Sequence, residues 1–320
     1  MPEKFSTSAA RYASLDLGSN TIRLLVSEST ANGFHTVLSS QIITRLGEGM
    51  HRTGTLSPVA MERTIKGIES LLAEAEKLKP FRIAAVATHA VRSAKNREEF
   101  KNLFSNRTGF PLSVIEWESE AGLALKGVES AINKSGPILL FDIGGGSTEF
   151  IYRDAGGGIR SVGTNIGVVR LTESYIRHAP LVMSEYKTLE SELKNEIRGV
   201  KEKLDIKDAF TLVGTAGTVT SIAALHLGME EYDPDRITNT ILRDRDIKKV
   251  LEEIGKMTLE ERGKLNPLKS GREDLVIPGI CIILCIMDIF GIDKLTVCDS
   301  GLREGALLSL KDSTLAGYDI

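Results

Sequence analysis

The chain has 320 residues, of which 42% are hydrophobic and 26% are charged. This ordinary globular composition excludes a disordered, collagen-like or mucin-like chain. Lys and Arg number 40 against 43 Asp and Glu, giving a net charge of −3, so charge alone does not indicate binding to nucleic acid or to a membrane. A chain of this length favours two domains.

Cysteine usage and hydropathy predict where the protein resides. The three cysteines are too few for a disulfide framework and indicate reduced, buried thiols. The first 15 residues lack the apolar core of a secretory signal. The longest apolar run, residues 277–292, is too short for a membrane-spanning helix. We therefore expect a cytoplasmic protein that binds neither a membrane nor nucleic acid.

The first half of the chain opens with two strands around a polar glycine turn. Apolar residues 12–16 and 22–26 flank Leu17-Gly18-Ser19-Asn20, which predicts a β-hairpin. The further predicted elements of this half are strands at 34–43, 82–87 and 112–117, a helix capped by Ser57 and a helix over 118–132.

The second half repeats this opening pattern. A strand at 138–141 ends at Asp142, the glycine turn 143–147 follows, and residues 148–152 form another strand. A repeat at this scale suggests two similar domains. The further predicted elements are a helix capped by Ser184, strands at 211–213 and 294–298, and helices that open within 214–218 and 299–305. The alternation of strands and helices predicts an α/β protein.

Three glycine turns carry the strongest chemical signal. They are residues 16–20 (Asp-Leu-Gly-Ser-Asn), 142–147 (Asp-Ile-Gly-Gly-Gly-Ser) and 214–218 (Gly-Thr-Ala-Gly-Thr). Glycines allow backbone N–H groups to approach a phosphate, and Ser and Thr add hydroxyl donors. The leading Asp16 and Asp142 can hold Mg²⁺ beside the phosphate. The structural alternative is that these are tight turns that need glycine for a positive φ.

These turns resemble the phosphate loops of the actin, heat-shock chaperone and sugar-kinase superfamily. Further stretches resemble one branch of it, the exopolyphosphatase / guanosine pentaphosphate phosphohydrolase (Ppx/GppA) family. The similar stretches are 16–24, 87–92, 118–122, 142–149, 214–218, 274–279 and 300–305. The resemblance implies two RNase H-like domains of the actin-like ATPase type with a cleft between them. We expect one domain at residues 1–130 and a second at 131–301. A C-terminal helix at 302–320 is expected to pack on the first domain.

The resemblance also implies hydrolysis of a terminal phosphoanhydride. Glu120 is similar to the family's catalytic carboxylate, which acts on the attacking water, and Asp142 and Glu149 to its metal-holding carboxylates. The family usually has Glu-Glu-Ala-Arg where this chain has residues 119–122, so Glu118 is an alternative base. With Asp16, the carboxylates imply a Mg²⁺ or Mn²⁺ cofactor. The predicted substrate-binding residues are Ser19, Asn20, Arg23, Arg92, Gly144, Gly145, Gly146, Ser147, Gly214, Gly217, Thr218, Arg272 and Arg303.

The predicted function is that of an exopolyphosphatase acting on inorganic polyphosphate. The alternative is removal of the 5′ γ-phosphate of guanosine pentaphosphate (pppGpp), since both substrates end in the same anhydride. Longer relatives carry an extra helical domain associated with long polymers, so we do not expect processive action on long chains. A homodimer is a family expectation. A kinase or ATP-driven chaperone of the superfamily and a non-catalytic sensor of guanosine tetraphosphate are further alternatives.

Overall fold

The computed structural model describes residues 10–30, 33–79, 81–269 and 271–320. Within these ranges the strands are β1 (Arg11–Leu17), β2 (Thr21–Thr30), β3 (Gly33–Ile43), β4 (Arg82–Ala87), β5 (Ser113–Val114), β6 (Ile138–Ile143), β7 (Thr148–Arg153), β8 (Ile159–Thr164), β9 (Thr211–Thr215), β10 (Ile241–Arg243), β11 (Lys294–Val297) and β12 (Tyr318–Asp319). The helices are α1 (Met50–Thr53), α2 (Pro58–Ala75), α3 (His89–Ser93), α4 (Arg97–Thr108), α5 (Trp117–Glu129), α6 (Val168–Tyr175), α7 (Met183–Leu204), α8 (Ala216–His226), α9 (Pro234–Ile237), α10 (Asp244–Gly255), α11 (Leu259–Gly263), α12 (Val276–Phe290) and α13 (Leu302–Lys311).

The first sheet is built around the predicted hairpin. Its strand order is β12-β4-β1-β2-β3, with β5 paired to β4. β1, β2 and β3 run antiparallel in sequence order, and β4 runs parallel to β1. The apolar face of α2 packs on this sheet, and Ser57 caps that helix by accepting a hydrogen bond from Ala60 N at 3.1 Å, as the sequence predicts.

The second sheet repeats this topology. Its order is β10-β11-β9-β6-β7-β8, with β6, β7 and β8 antiparallel and β9 parallel to β6. The two Asp-led hairpins therefore occupy equivalent places in two similar sheets. This confirms the α/β class and the internal repeat that the sequence indicates. The three cysteines are free and buried, also as predicted.

Two helices lie between the sheets and contact each other closely. α5 packs its apolar face on the second sheet, whereas α13 packs on the first sheet through Leu307 and Leu310. A Cβ at Gly127 of α5 would overlap the carbonyl of Gly301, and a Cβ at Gly305 of α13 would overlap the carbonyl of Leu123. The two backbones can touch only because these positions carry glycine. The domain boundary at residue 130 stays a prediction.

Several predictions about element ends are wrong. The helix expected at 302–320 ends at Lys311, and residues 318–319 form β12 beside β4, while the helix expected over 118–132 ends at Glu129. The strand expected at 112–117 shrinks to Ser113–Val114, because only these residues pair with β4 before the chain turns into α5 at Trp117. Ser184 does not cap α7: the helix begins one residue earlier, at Met183, and Val182 occupies the N-cap position. No helix within the described ranges is long and apolar enough to cross a membrane.

Candidate active site

A cavity of about 110 Å³ is lined by residues from both halves of the chain, and all three glycine turns contribute to it. Fourteen of the seventeen predicted site residues lie on its wall. They are Asp16, Ser19, Asn20, Arg23, Glu120, Asp142, Gly144, Gly145, Ser147, Glu149, Gly217, Thr218, Arg272 and Arg303. Residues separated by almost 290 positions in the sequence are thus brought to one site.

The structure places Arg92, Gly146 and Gly214 behind this wall rather than on it. A Cβ at Gly214 would come within 2.7 Å of the Phe141 ring, and a Cβ at Gly146 would overlap the ring of His89. Packing within the protein therefore accounts for both glycines. Arg92, which the resemblance assigns to substrate, contacts protein groups instead.

The glycine turns do not owe their glycines to a positive φ. The structure describes all three turns, and none of their glycines has φ in the left-handed region. The residue of these turns that does is Ala216, with φ of 71°. The structural alternative raised from the sequence is therefore wrong. Gly18 N donates to Thr21 O at 3.1 Å, and Gly144 N donates to Ser147 O at 2.8 Å. The same hydrogen bond thus closes both Asp-led turns.

Polar groups of the first and third turns are available to an anion. α8 begins at Ala216, and its first residues line the cavity. The first N–H groups of an α-helix have no partner inside the helix and attract anions. Thr215 Oγ1, just before the helix, donates to Ser300 O at 2.8 Å. In the first turn, the buried Ser19 Oγ has no hydrogen-bond partner among the described residues.

Four carboxylates, three of them buried and Asp142 half-buried, line the cavity, and loss of solvation is the main cause of the raised pKa of each. The pKa of Glu120 is raised to about 7 and that of Asp142 to about 6, and those of Glu149 and Asp16 are also raised. Repulsion between the carboxylates adds to the effect of burial, whereas Arg23 and Arg92 oppose it. The arginines therefore do not fully offset the desolvation and repulsion that favour the neutral carboxyl groups.

The three predicted metal ligands supply only part of the coordination shell of a divalent cation. In the described residues no group of three or more His, Cys, Asp or Glu side chains is arranged to hold a metal ion. Yet the buried Asp16 and Glu149 and the half-buried Asp142 lie on one cavity wall, and Glu149 Oε1 has no hydrogen-bond partner within the described part of the chain. Mg²⁺ typically takes one or two carboxylates and completes its shell with water and phosphate oxygens. The donor set fits such an ion.

Glu120, and not Glu118, lies on the cavity wall. Both residues are in the first turn of α5, but Glu118 is exposed and Glu120 is buried. Arg92 Nη1 donates to Glu120 Oε2 at 2.5 Å and to Ile115 O at 2.9 Å. The Arg92 guanidinium also stacks 3.9 Å from the centre of the Trp117 ring. Arg92 therefore fixes the orientation of the Glu120 carboxylate.

Three guanidinium groups form a cationic wall. Arg272 donates to Ser221 Oγ at 2.9 Å and to Gln41 Oε1 at 3.1 Å. Burial and the nearby Arg23 lower the pKa of Arg272 to about 10. Arg303 lies on the cavity wall, and its Nη2 is also 3.4 Å from Glu304 Oε1. Such a cluster of guanidinium groups is suited to a polyanion.

Sequence reasoning did not single out His89, which lines the cavity beside Trp117. Burial, followed by the charges of Arg92 and Arg170, lowers the pKa of His89 to about 4, so the ring is neutral at pH 7. The sequence nevertheless contains a signal for this residue. β1 and β4 are parallel, and His89 lies just past the end of β4, as the first glycine turn lies just past the end of β1.

A second cavity, of about 500 Å³, adjoins the first. The two share Arg23, Ala216, Gly217, Arg272, Asp299 and Arg303. Its other walls carry the exposed ring of Tyr232, two prolines and Met229. Lys269 is the one cation besides the three arginines among the described residues that line it. Away from the three shared arginines, the lining of the second cavity is therefore mixed apolar and polar.

Comparisons with known proteins identify the family of this chain. The family model of the Ppx/GppA phosphatase family matches residues 25–314. Exopolyphosphatase 2 of Mycobacterium tuberculosis is 31% identical over 318 residues, which cover 94% of this chain and 98% of that protein. The guanosine-5′-triphosphate,3′-diphosphate pyrophosphatase of Pseudoalteromonas translucida is 30% identical over 302 residues, covering 93% of this chain and 59% of that one.

Solved structures show the same fold. The Aquifex aeolicus member of the Ppx/GppA family superposes with a TM-score of 0.80 at 33% identity, covering 96% of this chain and 99% of that one. An exopolyphosphatase from Cytophaga hutchinsonii superposes with a TM-score of 0.87 at 24% identity, covering 95% and 98%, which supports the fold alone. The predicted pair of RNase H-like, actin-like ATPase domains is thereby confirmed. The chain belongs to the Ppx/GppA phosphatase family.

Proposed function

We propose that the protein hydrolyses the terminal phosphoanhydride of a polyphosphate chain, with Glu120 as the base. The observation that carries the proposal is the position of Glu120: it is buried, oriented by Arg92, and lies on the same wall as the three glycine turns. In the reaction the water oxygen bonds to the terminal phosphorus and the bridging oxygen leaves with the remaining chain. Glu120 takes the proton of the water.

The raised pKa of Glu120 suits this role. A pKa of about 7 lets the carboxylate accept a proton efficiently near neutral pH, where a substantial fraction is still ionised. Arg92 fixes the carboxylate, because its other contacts, to Ile115 O and to the Trp117 ring, restrict the guanidinium. Phosphoryl transfer depends mainly on such positioning of the nucleophile and on stabilisation of charge.

The remaining wall residues would bind and neutralise the phosphate chain. The turn amides and the N-terminus of α8 would hold the terminal phosphate, and Arg23, Arg272 and Arg303 the phosphates behind it. Asp16, Asp142 and Glu149 are the residues that would hold Mg²⁺ or Mn²⁺, which when bound supplies charge neutralisation at phosphoryl oxygens. The predicted homodimer stays a prediction.

The second cavity favours a second candidate substrate, pppGpp. Inorganic polyphosphate is a uniform anion and would need cations along its whole path. Beyond the three arginines the wall of this cavity instead presents Tyr232 and Met229, with the acidic Glu230 among them. An aromatic ring next to polar groups is suited to a nucleoside attached to the phosphate chain. The name of the Pseudoalteromonas relative is compatible with this alternative.

The test is phosphate release in the presence of Mg²⁺, with polyphosphate of defined length compared with pppGpp. Release from polyphosphate that is lost in Glu120→Gln but kept in Glu118→Gln would support the first proposal. Faster release from pppGpp would favour the second. Transfer of phosphate from ATP to an acceptor would point to a kinase, and binding of guanosine tetraphosphate with no release from either substrate would point to a sensor.

A further inference from the structure

The first glycine turn is held in place by the chain segment that follows β3. We call residues 44–47 the support segment. Thr44 N and Arg45 N both donate to Asn20 O at 2.9 Å, and Gly47 N donates to Ser19 O at 2.8 Å. These bonds fix the backbone of a turn whose side chains line the cavity. A displacement of the support segment would therefore displace the turn.

Arg45 has an unusual backbone conformation within this segment. Its φ of 49° lies in the left-handed region, which a residue with a long side chain rarely adopts. Arg63 stabilises the conformation from α2, donating from Nη2 to Arg45 O at 3.1 Å and from Nε to Thr44 O at 2.5 Å. The segment is thus anchored in the first half of the protein, although the Arg45 side chain reaches the second half.

The Arg45 guanidinium contacts the second half through a bidentate ion pair. Nη1 and Nη2 each lie 3.2 Å from an oxygen of Asp274, and Nη2 also donates to Gly271 O at 3.4 Å. Both side chains are only partly exposed, at 33% and 21%. Asp274 sits between Arg272 and Leu275, which both line the cavity. Asp274 O also accepts a hydrogen bond from Thr172 Oγ1 at 3.3 Å.

We propose that Arg45 is a positioning residue that fixes the first glycine turn relative to the Arg272 segment. One residue thereby connects two walls of the cavity that belong to different halves of the chain. Arg45 is outside the set of described residues that line the cavity, so it acts through Asn20 and Asp274. The inference rests on the proposed function, because the two walls would have to hold one phosphate chain together.

A double-mutant cycle tests the pairing. The variants are Arg45→Gln, Asp274→Asn and the double variant, with phosphate release measured as KM and kcat. Each single variant should raise KM about tenfold and change kcat by less than about threefold, since the walls bind substrate and Glu120 is untouched. The KM of the double variant should be no higher than that of either single variant. Independent, multiplying effects would overturn the proposal.

The control is a second polar contact between the two halves. His51 Nδ1 lies 2.9 Å from Glu173 Oε2, and neither residue neighbours a cavity residue in sequence. His51→Gln should leave KM within about twofold of wild type. An equal rise of KM in this variant would mean that any contact between the halves suffices, which would also overturn the proposal.

Hydrogen exchange separates this inference from the proposed function. Arg45→Gln should accelerate amide exchange in both 17–21 and 271–276, and His51→Gln should not. Unchanged exchange in either segment would overturn the positioning role even if activity falls. If the wild type releases no phosphate, the proposed function fails, while the exchange result still decides whether Arg45 couples the two walls. Arg45→Lys, which keeps the charge, should fall between wild type and Arg45→Gln.

Discussion

Glu149 occupies the register position in the second hairpin that Arg23 occupies in the first. Arg23 pairs with Asp16 across β1 and β2, and Glu149 pairs with Asp142 across β6 and β7. One hairpin therefore brings opposite charges together, whereas the other brings two carboxylates together. The first arrangement supplies a cation to the cavity, and the second supplies two carboxylates. A repeated fold thus supports different chemistry in its two halves.

The first prediction concerns the catalytic carboxylate. Glu120→Gln should lower kcat about 10²–10⁴-fold, because the amide keeps the shape of the side chain but cannot accept the proton of water. Glu118→Gln, on the same helical turn but exposed, should change kcat less than about threefold. Initial rates of phosphate release measure both. If Glu118→Gln is the inactive variant, the wrong glutamate has been assigned.

The second prediction is a pH dependence. A base must be ionised, so kcat/KM at a fixed metal concentration should fall as pH drops through the pKa of Glu120, which is about 7 in the metal-free protein. Because Arg92 lowers this pKa, Arg92→Gln should move the acidic limb of the profile to higher pH. A profile recorded from pH 5 to 9 tests the sign. A limb that moves to lower pH would exclude Glu120 as the titrating group.

The third prediction links metal binding to stability. Burial raises the pKa of Asp142 and Glu149 in the folded state, so the metal-free protein should be more stable near pH 5 and lose stability as pH rises through about 6. Glu149→Gln should raise the melting temperature at pH 8 by about 2–4 °C. Mg²⁺ should stabilise the wild type, and Glu149→Gln should weaken that stabilisation.

Calorimetry with and without Mg²⁺ measures these shifts, and the exposed Glu118→Gln serves as the control. A wild-type melting temperature that Mg²⁺ does not change would count against the metal site. A Glu149→Gln variant that melts lower at pH 8 would instead mean that the ionised carboxylate has protein partners that stabilise it.

The fourth prediction concerns the crossing of α5 and α13. Gly127→Ala and Gly305→Ala should each lower the free energy of unfolding by about 2–4 kcal/mol, because the added Cβ would overlap a backbone carbonyl of the other helix. Gly122→Ala is the matched control on α5: in the described structure no atom lies within 4 Å of its added Cβ. It should be neutral or stabilising by up to about 1 kcal/mol. Chemical denaturation measures the free energy of unfolding of all three variants. Equal losses of stability would show that helix propensity, and not the contact between the helices, determines the effect.

The sequence by itself determined most of the elements and the turns that line the cavity. The two Asp-led hairpins, the helix after Ser57 and the three glycine turns each depend on residues close together in the chain. Hydrophobic periodicity and turn chemistry act over such short distances, so they can be read locally. Nine of the fourteen predicted residues on the cavity wall belong to the two repeated hairpins.

Only the tertiary structure decided which glutamate faces the cavity and what Arg92 contacts. Glu118 and Glu120 lie in the same helical turn, and the packing of α5 on the second sheet, not local pattern, buries one and exposes the other. Arg92 meets Glu120 across 28 residues, and Arg45 meets Asp274 across 229. Such contacts depend on how the two sheets and the two crossing helices pack against each other. That arrangement minimises the free energy of the whole chain, and no short stretch of sequence encodes it.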